Sequence, residues 1–323
     1  MNNYFEPQSL AQKLALVACL LIALAVCVLG LLFGGTTNAD WELIIQLRLP
    51  RVLIAFAVGA LLATAGNLLQ IFTRNPLAEP SVLGISAGAS VGALIAMVLG
   101  LTVWLGAWLG ALVILGLLWY LAGGFTGSSE RLLLAGVMLG TACGAMISMI
   151  LSMSSERMLP GIIHWLMGDL QSVLTWQFAL LIFFCTIALV TFLTLFANRI
   201  QLIPLGWDKL TSLGVNISYL KISLIGVCSL AIAISVSIAG MIGFIGLVVP
   251  HTLRLFSRDT LAAHQVWMIP SSAIVGGIFL VLADLISRTI LAPSELPIGV
   301  VTAAIGVPVF LYLLSRQDSW RSA

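Results

Sequence analysis

The chain has 323 residues, of which 61% are hydrophobic and only 8% charged, with a formal net charge of +2. A soluble globule is excluded, because its polar shell needs far more charge than this. With a mean hydropathy of +1.15, the composition implies an all-α polytopic membrane protein. Its apolar runs of roughly 18 or more residues are each long enough to cross a ~30 Å hydrocarbon layer.

Apolar runs between polar punctuation predict ten spans at about 14–35, 52–72, 82–100, 103–122, 131–153, 175–197, 222–241, 243–257, 267–290 and 298–315. The first is read as a retained span, since residues 14–33 lack an A-x-A cleavage site and further spans follow. The eighth is short and carries Pro250, which predicts a broken or half-depth helix. No soluble domain interrupts the pattern, so residues 1–323 are expected to form a single transmembrane domain. With the N-terminus inside, ten cations fall on the inner side and four (Arg48, Arg51, Arg157 and Arg288) on the outer side. The positive-inside bias therefore places both termini in the cytoplasm.

The five cysteines all lie in apolar runs without metal-like spacing, and read as small buried hydrophobes. Gly84/Gly88/Gly92 and Gly136/Gly140/Gly144 recur one helical turn apart, the spacing of close helix packing. GxxxxGK[ST] is absent, and His164, His251 and His264 are scattered over different segments. Neither a catalytic site, a metal site nor a cofactor is expected.

Three polar constellations remain. Arg48 and Arg51 bracket Pro50 before the second span, and Arg288 closes the ninth. Outward guanidinium forks suit docking of an acidic partner, with a local helical pair between Arg288 and Asp284 as the competing account. Removing Arg48 and Arg288 together is expected to weaken docking and leave the fold intact. In residues 73–80, Pro76 and Pro80 forbid a continuous helix and fix a stiff turn, either a gate or a plain loop. The longest inward connection, residues 199–221, predicts a short amphipathic helix ending at Gly214. That helix would dock a soluble partner or lie on the headgroups.

These residues carry a resemblance. Arg48-Leu49-Pro50-Arg51, Arg74-Asn75-Pro76-Leu77-Ala78-Glu79-Pro80 and Leu83-Gly84-Ile85-Ser86-Ala87-Gly88-Ala89 resemble the permease family of ABC importers for iron chelates and cobalamin. So do Arg131-Leu132-Leu133-Leu134-Ala135-Gly136, Trp165-Leu166-Met167-Gly168, the stretch from Gly243 to His251 and the block from Glu295 to Thr302, all in family order. The resemblance implies ten helices in the type II importer architecture of the bacterial inner membrane. It implies a homodimer or a pairing with a sister permease, two ATP-binding subunits on the cytoplasmic face, and a periplasmic or lipid-anchored binding protein. Nucleic acid is not an implied partner. Arg48, Arg51 and Arg288 would meet glutamates of the binding protein, and Asn75, Leu77, Ser129 and Glu130 would line the cytoplasmic gate. ATPase coupling would fall to Leu205, Gly206, Asp208, Lys209, Leu213 and Gly214.

This sequence departs from the family pattern at two positions of the coupling segment. Trp207 stands where an acidic residue is usual, and Leu210 where a small one is. Ferric siderophore is the first cargo the resemblance implies, with haem and cobalamin behind it. An ion-coupled secondary transporter is the alternative from another class.

Overall fold

The computed structural model describes residues 10–32, 44–121, 123, 129–170, 175–212, 214–257, 264–292 and 294–321. All regular structure among them is helical. The thirteen α-helices are α1 (Leu10–Leu32), α2 (Leu49–Thr73), α3 (Ile85–Val98), α4 (Val103–Leu121), α5 (Ser129–Met153), α6 (Leu159–Leu166) and α7 (Trp176–Leu195). There follow α8 (Ala197–Ile200), α9 (Trp207–Ser212), α10 (Ile217–Ala239), α11 (Ile245–Ser257), α12 (Gln265–Thr289) and α13 (Ile298–Arg321). Six helices are long and apolar enough to span a bilayer, and four shorter apolar helices stand at the remaining predicted positions, which accounts for all ten predicted spans.

α2 is the spine of the bundle. Nearly every one of its residues is buried, and α7, α10, α11 and α12 all pack on it. Apolar side chains gain little by leaving lipid for protein, so helix association in a bilayer relies on close backbone approach and interhelical hydrogen bonds. The glycines supply that approach. A Cβ at Gly59 would strike the backbone of Gly276 in α12, and one at Gly66 the backbone of Gly246 in α11. The predicted Gly84/Gly88/Gly92 face divides its work. Gly88 and Gly92 meet Gly110 and Gly106 of α4, while Gly84 sits on Gly136 and Gly140 of α5.

α11 differs from its expectation. Helix continues through Pro250 instead of breaking there. Proline lacks the N–H that would satisfy the carbonyl four residues earlier, and here Gln70 Nε2 donates to that carbonyl, Gly246 O, at 3.2 Å. The expected shortness holds: α11 has 13 residues, about 20 Å of helix, and its first turn lies beside Leu62 and Gly66 of α2.

Two of the blocks that carry the resemblance, Trp165–Gly168 and Glu295–Thr302, meet in the structure. Ile298 N donates to Gly168 O at 3.1 Å and Gly299 N to Met167 O at 3.0 Å, while Asp169 N donates to Ala239 O at 3.0 Å. Gly240, with φ of 69°, is needed at this junction, because a Cβ would collide with the carbonyl of Trp165.

Candidate functional site

At one end of the bundle, α2 begins with Pro50 in its first turn, where a missing N–H costs nothing. That start places Arg48 and Arg51 beside the C-terminal ends of α1 and α12. Arg48 Nη1 donates to Leu31 O at 3.0 Å and Leu32 O at 3.1 Å, satisfying carbonyls that the end of α1 leaves without helical partners. Arg51 Nε donates to Asp284 Oδ1 at 2.8 Å. Its two terminal nitrogens fork onto Glu295, Nη1 to Oε1 at 3.3 Å and Nη2 to Oε2 at 2.8 Å. Arg288 Nη2 lies 2.9 Å from Asp284 Oδ2 and donates to Gly30 O at 3.3 Å.

Arg51 and Arg288 therefore meet on one carboxylate, Asp284, while Arg48 holds the end of α1 beside them. Asp284 is fully buried, and Arg48 and Arg288 are 5% and 7% exposed. Three cations facing two carboxylates leave the cluster a formal +1. Glu295, the first residue of a block that carries the resemblance, stands three residues before α13 and outside any helical period that would mark it as a partner of Arg51. The most accessible part of the cluster is the Arg51–Glu295 pair, at 14% and 27% side-chain exposure.

At the opposite end, α2 stops at Arg74, which takes the left-handed φ of 53°, and an elbow of residues 74–84 turns back along the bundle. Asn75 Oδ1 accepts from Leu77 N at 2.9 Å, a local turn bond that leaves both residues exposed. A 3-10 turn, Pro80–Leu83, then seats the elbow on α5 at Gly136. Ser129 opens α5 and Glu130 is exposed in its first turn; the Ser129 side chain lies outside the described residues.

The elbow is stitched to the bundle by two side chains absent from the expected gate. Gln70, fully buried, bonds Ala78 O at 3.3 Å as well as Gly246 O and Leu247 O, so one amide joins α2, the elbow and α11. Glu79 Oε1 accepts from Phe244 N at 2.9 Å, placing a carboxylate at the N-terminus of α11. Deeper, Asn67 Nδ2 donates to Gln265 Oε1 at 3.0 Å, and Asn67 Oδ1 accepts from Arg254 Nη1 at 3.1 Å. A polar residue inside an apolar run was the available signal for Asn67 and Gln70.

The coupling segment has the predicted form. A 3-10 turn ends at Leu205, Gly206 takes φ of 106°, and α9 follows with Lys209 exposed. Gly214 closes it in the left-handed region, and Val215 N bonds back to Leu210 O at 3.1 Å. Leu213 and the side chain of Asp208 lie outside the described residues.

These two ends, joined by apolar helices, define a membrane-spanning permease, and comparison with known proteins gives the class in full. A solved inward-facing metal-chelate type ABC transporter superposes with a TM-score of 0.85 at 30% identity, covering 94% of this chain and 99% of that one. The chain belongs to the FecCD transport family, whose model matches residues 14–316. It is 36% identical over 299 residues to the hemin transport system permease protein HmuU of Yersinia pestis, spanning 89% of this chain and 87% of that protein. It is 38% identical over 308 residues to the vitamin B12 import system permease protein BtuC of Vibrio cholerae, spanning 91% of each. It is thus an ABC importer permease.

Proposed function

We propose that this chain is the translocating subunit of an ATP-driven importer for a bulky metal chelate in a bacterial inner membrane. The observation that carries this reading is α5, the span least covered by its own chain among the described helices. Its uncovered side includes Thr141, Gly144, Ser148 and Ser152, and each hydroxyl is satisfied within the helix, as in Thr141 Oγ1 to Val137 O at 2.9 Å. With Leu134, Met138, Met146 and Met149 exposed on the same helix, the face is mainly apolar and adaptable, with few unsatisfied polar groups. It suits a passage for a large cargo between this chain and a second permease copy or a sister permease.

The positive-inside bias assigns the Arg51 end to the outside and the elbow to the cytoplasm. A binding protein lands around Arg48, Arg51 and Arg288; Asn75 and Leu77, with Ser129 and Glu130, line the inner gate; α9 and its flanking turns meet ATP-binding subunits that supply the hydrolysis. Within the chelate class, the relatives named for hemin and vitamin B12 favour a macrocyclic tetrapyrrole-type cargo. A ferric siderophore is the second reading, supported by the metal-chelate type transporter of like fold.

The test is ATPase activity of the permease co-purified with its ATP-binding subunit in liposomes, with binding protein loaded in turn with haem, cobalamin or ferric siderophore. Stimulation by haem or cobalamin supports the first reading, and stimulation by siderophore alone replaces it with the second. Failure to form any complex contradicts the importer assignment.

A further inference from the structure

Trp207 is one of the two positions at which the coupling segment departs from the pattern that the resemblance implies, and the structure gives the indole a distinct set of neighbours. Its ring lies 5.6 Å from that of Phe72, the penultimate residue of α2, at a tilt of 59°. Arg74 Cζ stands over it at 5.9 Å and Lys221 Nζ at 5.0 Å from the centroid. One side chain of α9 thus touches the end of α2, the first residue of the elbow and the first turns of α10.

Both cations fall within the ~6 Å range over which the indole quadrupole attracts a positive charge. Tryptophan is the strongest such acceptor among side chains, and it offers an attraction to each of two cations that repel one another. Packing supports the ring, since Trp207 lies against the core cluster that holds the buried Phe72. The elbow side is equally constrained. Arg74 N bonds Ile71 O at 3.2 Å and Asn75 N bonds Gln70 O at 3.1 Å, so the residue under the indole leads directly into Asn75 and Leu77. Gly206, at φ of 106°, holds a backbone conformation that L side chains rarely adopt and lies beside the Arg74 guanidinium.

We propose that Trp207 is a positioning residue that ties α9 to the elbow through its contacts with Arg74, Lys221 and Phe72, so that a displacement imposed on α9 is delivered to Asn75 and Leu77. The inference rests on the importer reading above, in which α9 meets the ATP-binding subunit and the elbow gates the pathway.

The experiment uses the complete transporter in proteoliposomes and reads cargo taken up per ATP hydrolysed. Trp207→Leu keeps apolar bulk and removes the π face; Trp207→Phe keeps a face. The leucine variant is expected to lower the ratio at least about fivefold, the lower edge of typical allosteric coupling, and the phenylalanine variant to retain most of it. Arg74→Gln is expected to lower the ratio as well, and adding it to Trp207→Leu to cost nothing further. A wild-type ratio in Trp207→Leu, or losses that multiply in the double variant, overturns the proposal while leaving the importer reading standing. Should Trp207→Leu fail to assemble, Arg74→Gln decides: a lowered ratio beside a near-wild-type Trp207→Phe supports the link, and a wild-type ratio in Arg74→Gln overturns it. A wild-type complex without ATP-dependent uptake overturns the importer reading and the proposal with it.

Discussion

Asp284 has two guanidinium partners and no exposure, which makes the outer arginines structural before they are anything else. Removing one partner of a buried ion pair leaves an uncompensated charge and typically costs about 3–5 kcal/mol. Arg288 still pairs with Asp284 when Arg51 is removed, so Arg51→Ala is expected to lose less than that, measurable as a lower thermal midpoint in detergent. The same reasoning revises the expectation that Arg48 and Arg288 can be removed without harm to the fold. Both are buried and bonded to carbonyls at the end of α1, so the double variant should melt earlier as well as dock more weakly. Glu295→Gln is the informative contrast. It removes the carboxylate that holds the exposed side of Arg51 while Asp284 keeps Arg51 in place, so binding-protein affinity should rise with little change in melting. Unchanged or weaker affinity, measured by titration against reconstituted permease, would count against Arg51 as a docking contact. Burial of these side chains was not legible in the sequence, because the carboxylate at Glu295 is 244 residues from Arg51 along the chain.

At the scale of elements, the elbow depends on Gln70. Its amide serves the carbonyl that Pro250 leaves open, together with Ala78 O and Leu247 O. Gln70→Leu keeps the volume and abandons three acceptors. The expected loss is about 1–3 kcal/mol, the cost of an unsatisfied buried polar group, read from thermal unfolding. Loosening should appear first as protease sensitivity at the elbow. Glu79→Gln is milder: weakening a carboxylate at a helix N-terminus costs about 0.3–1 kcal/mol and should shift the melt only slightly. The spans themselves were legible because hydropathy reports them directly, and Gly214 correctly marked the end of α9. The course of α11 was not. Proline predicts a break from local rules alone, whereas the rescue of Gly246 O comes from a glutamine 176 residues away.

Across the whole molecule, glycine pairs and buried amides hold α2 against its neighbours, leaving α5 largely uncovered. A rigid half with one bare face is what a paired permease needs, since two copies can then rock about a shared seam. The ordered motifs from Arg48 to Thr302 made this class readable before any geometry. Cargo was less readable, because an apolar passage discriminates by shape with few residue-specific contacts. The most direct test of the central claim is uptake of haem, cobalamin and ferric siderophore by proteoliposomes that hold the permease with its ATP-binding subunit and binding protein. The account predicts accumulation of one chelate that requires ATP and the loaded binding protein and persists when ion gradients are collapsed. Uptake driven by an ion gradient without ATP would contradict it.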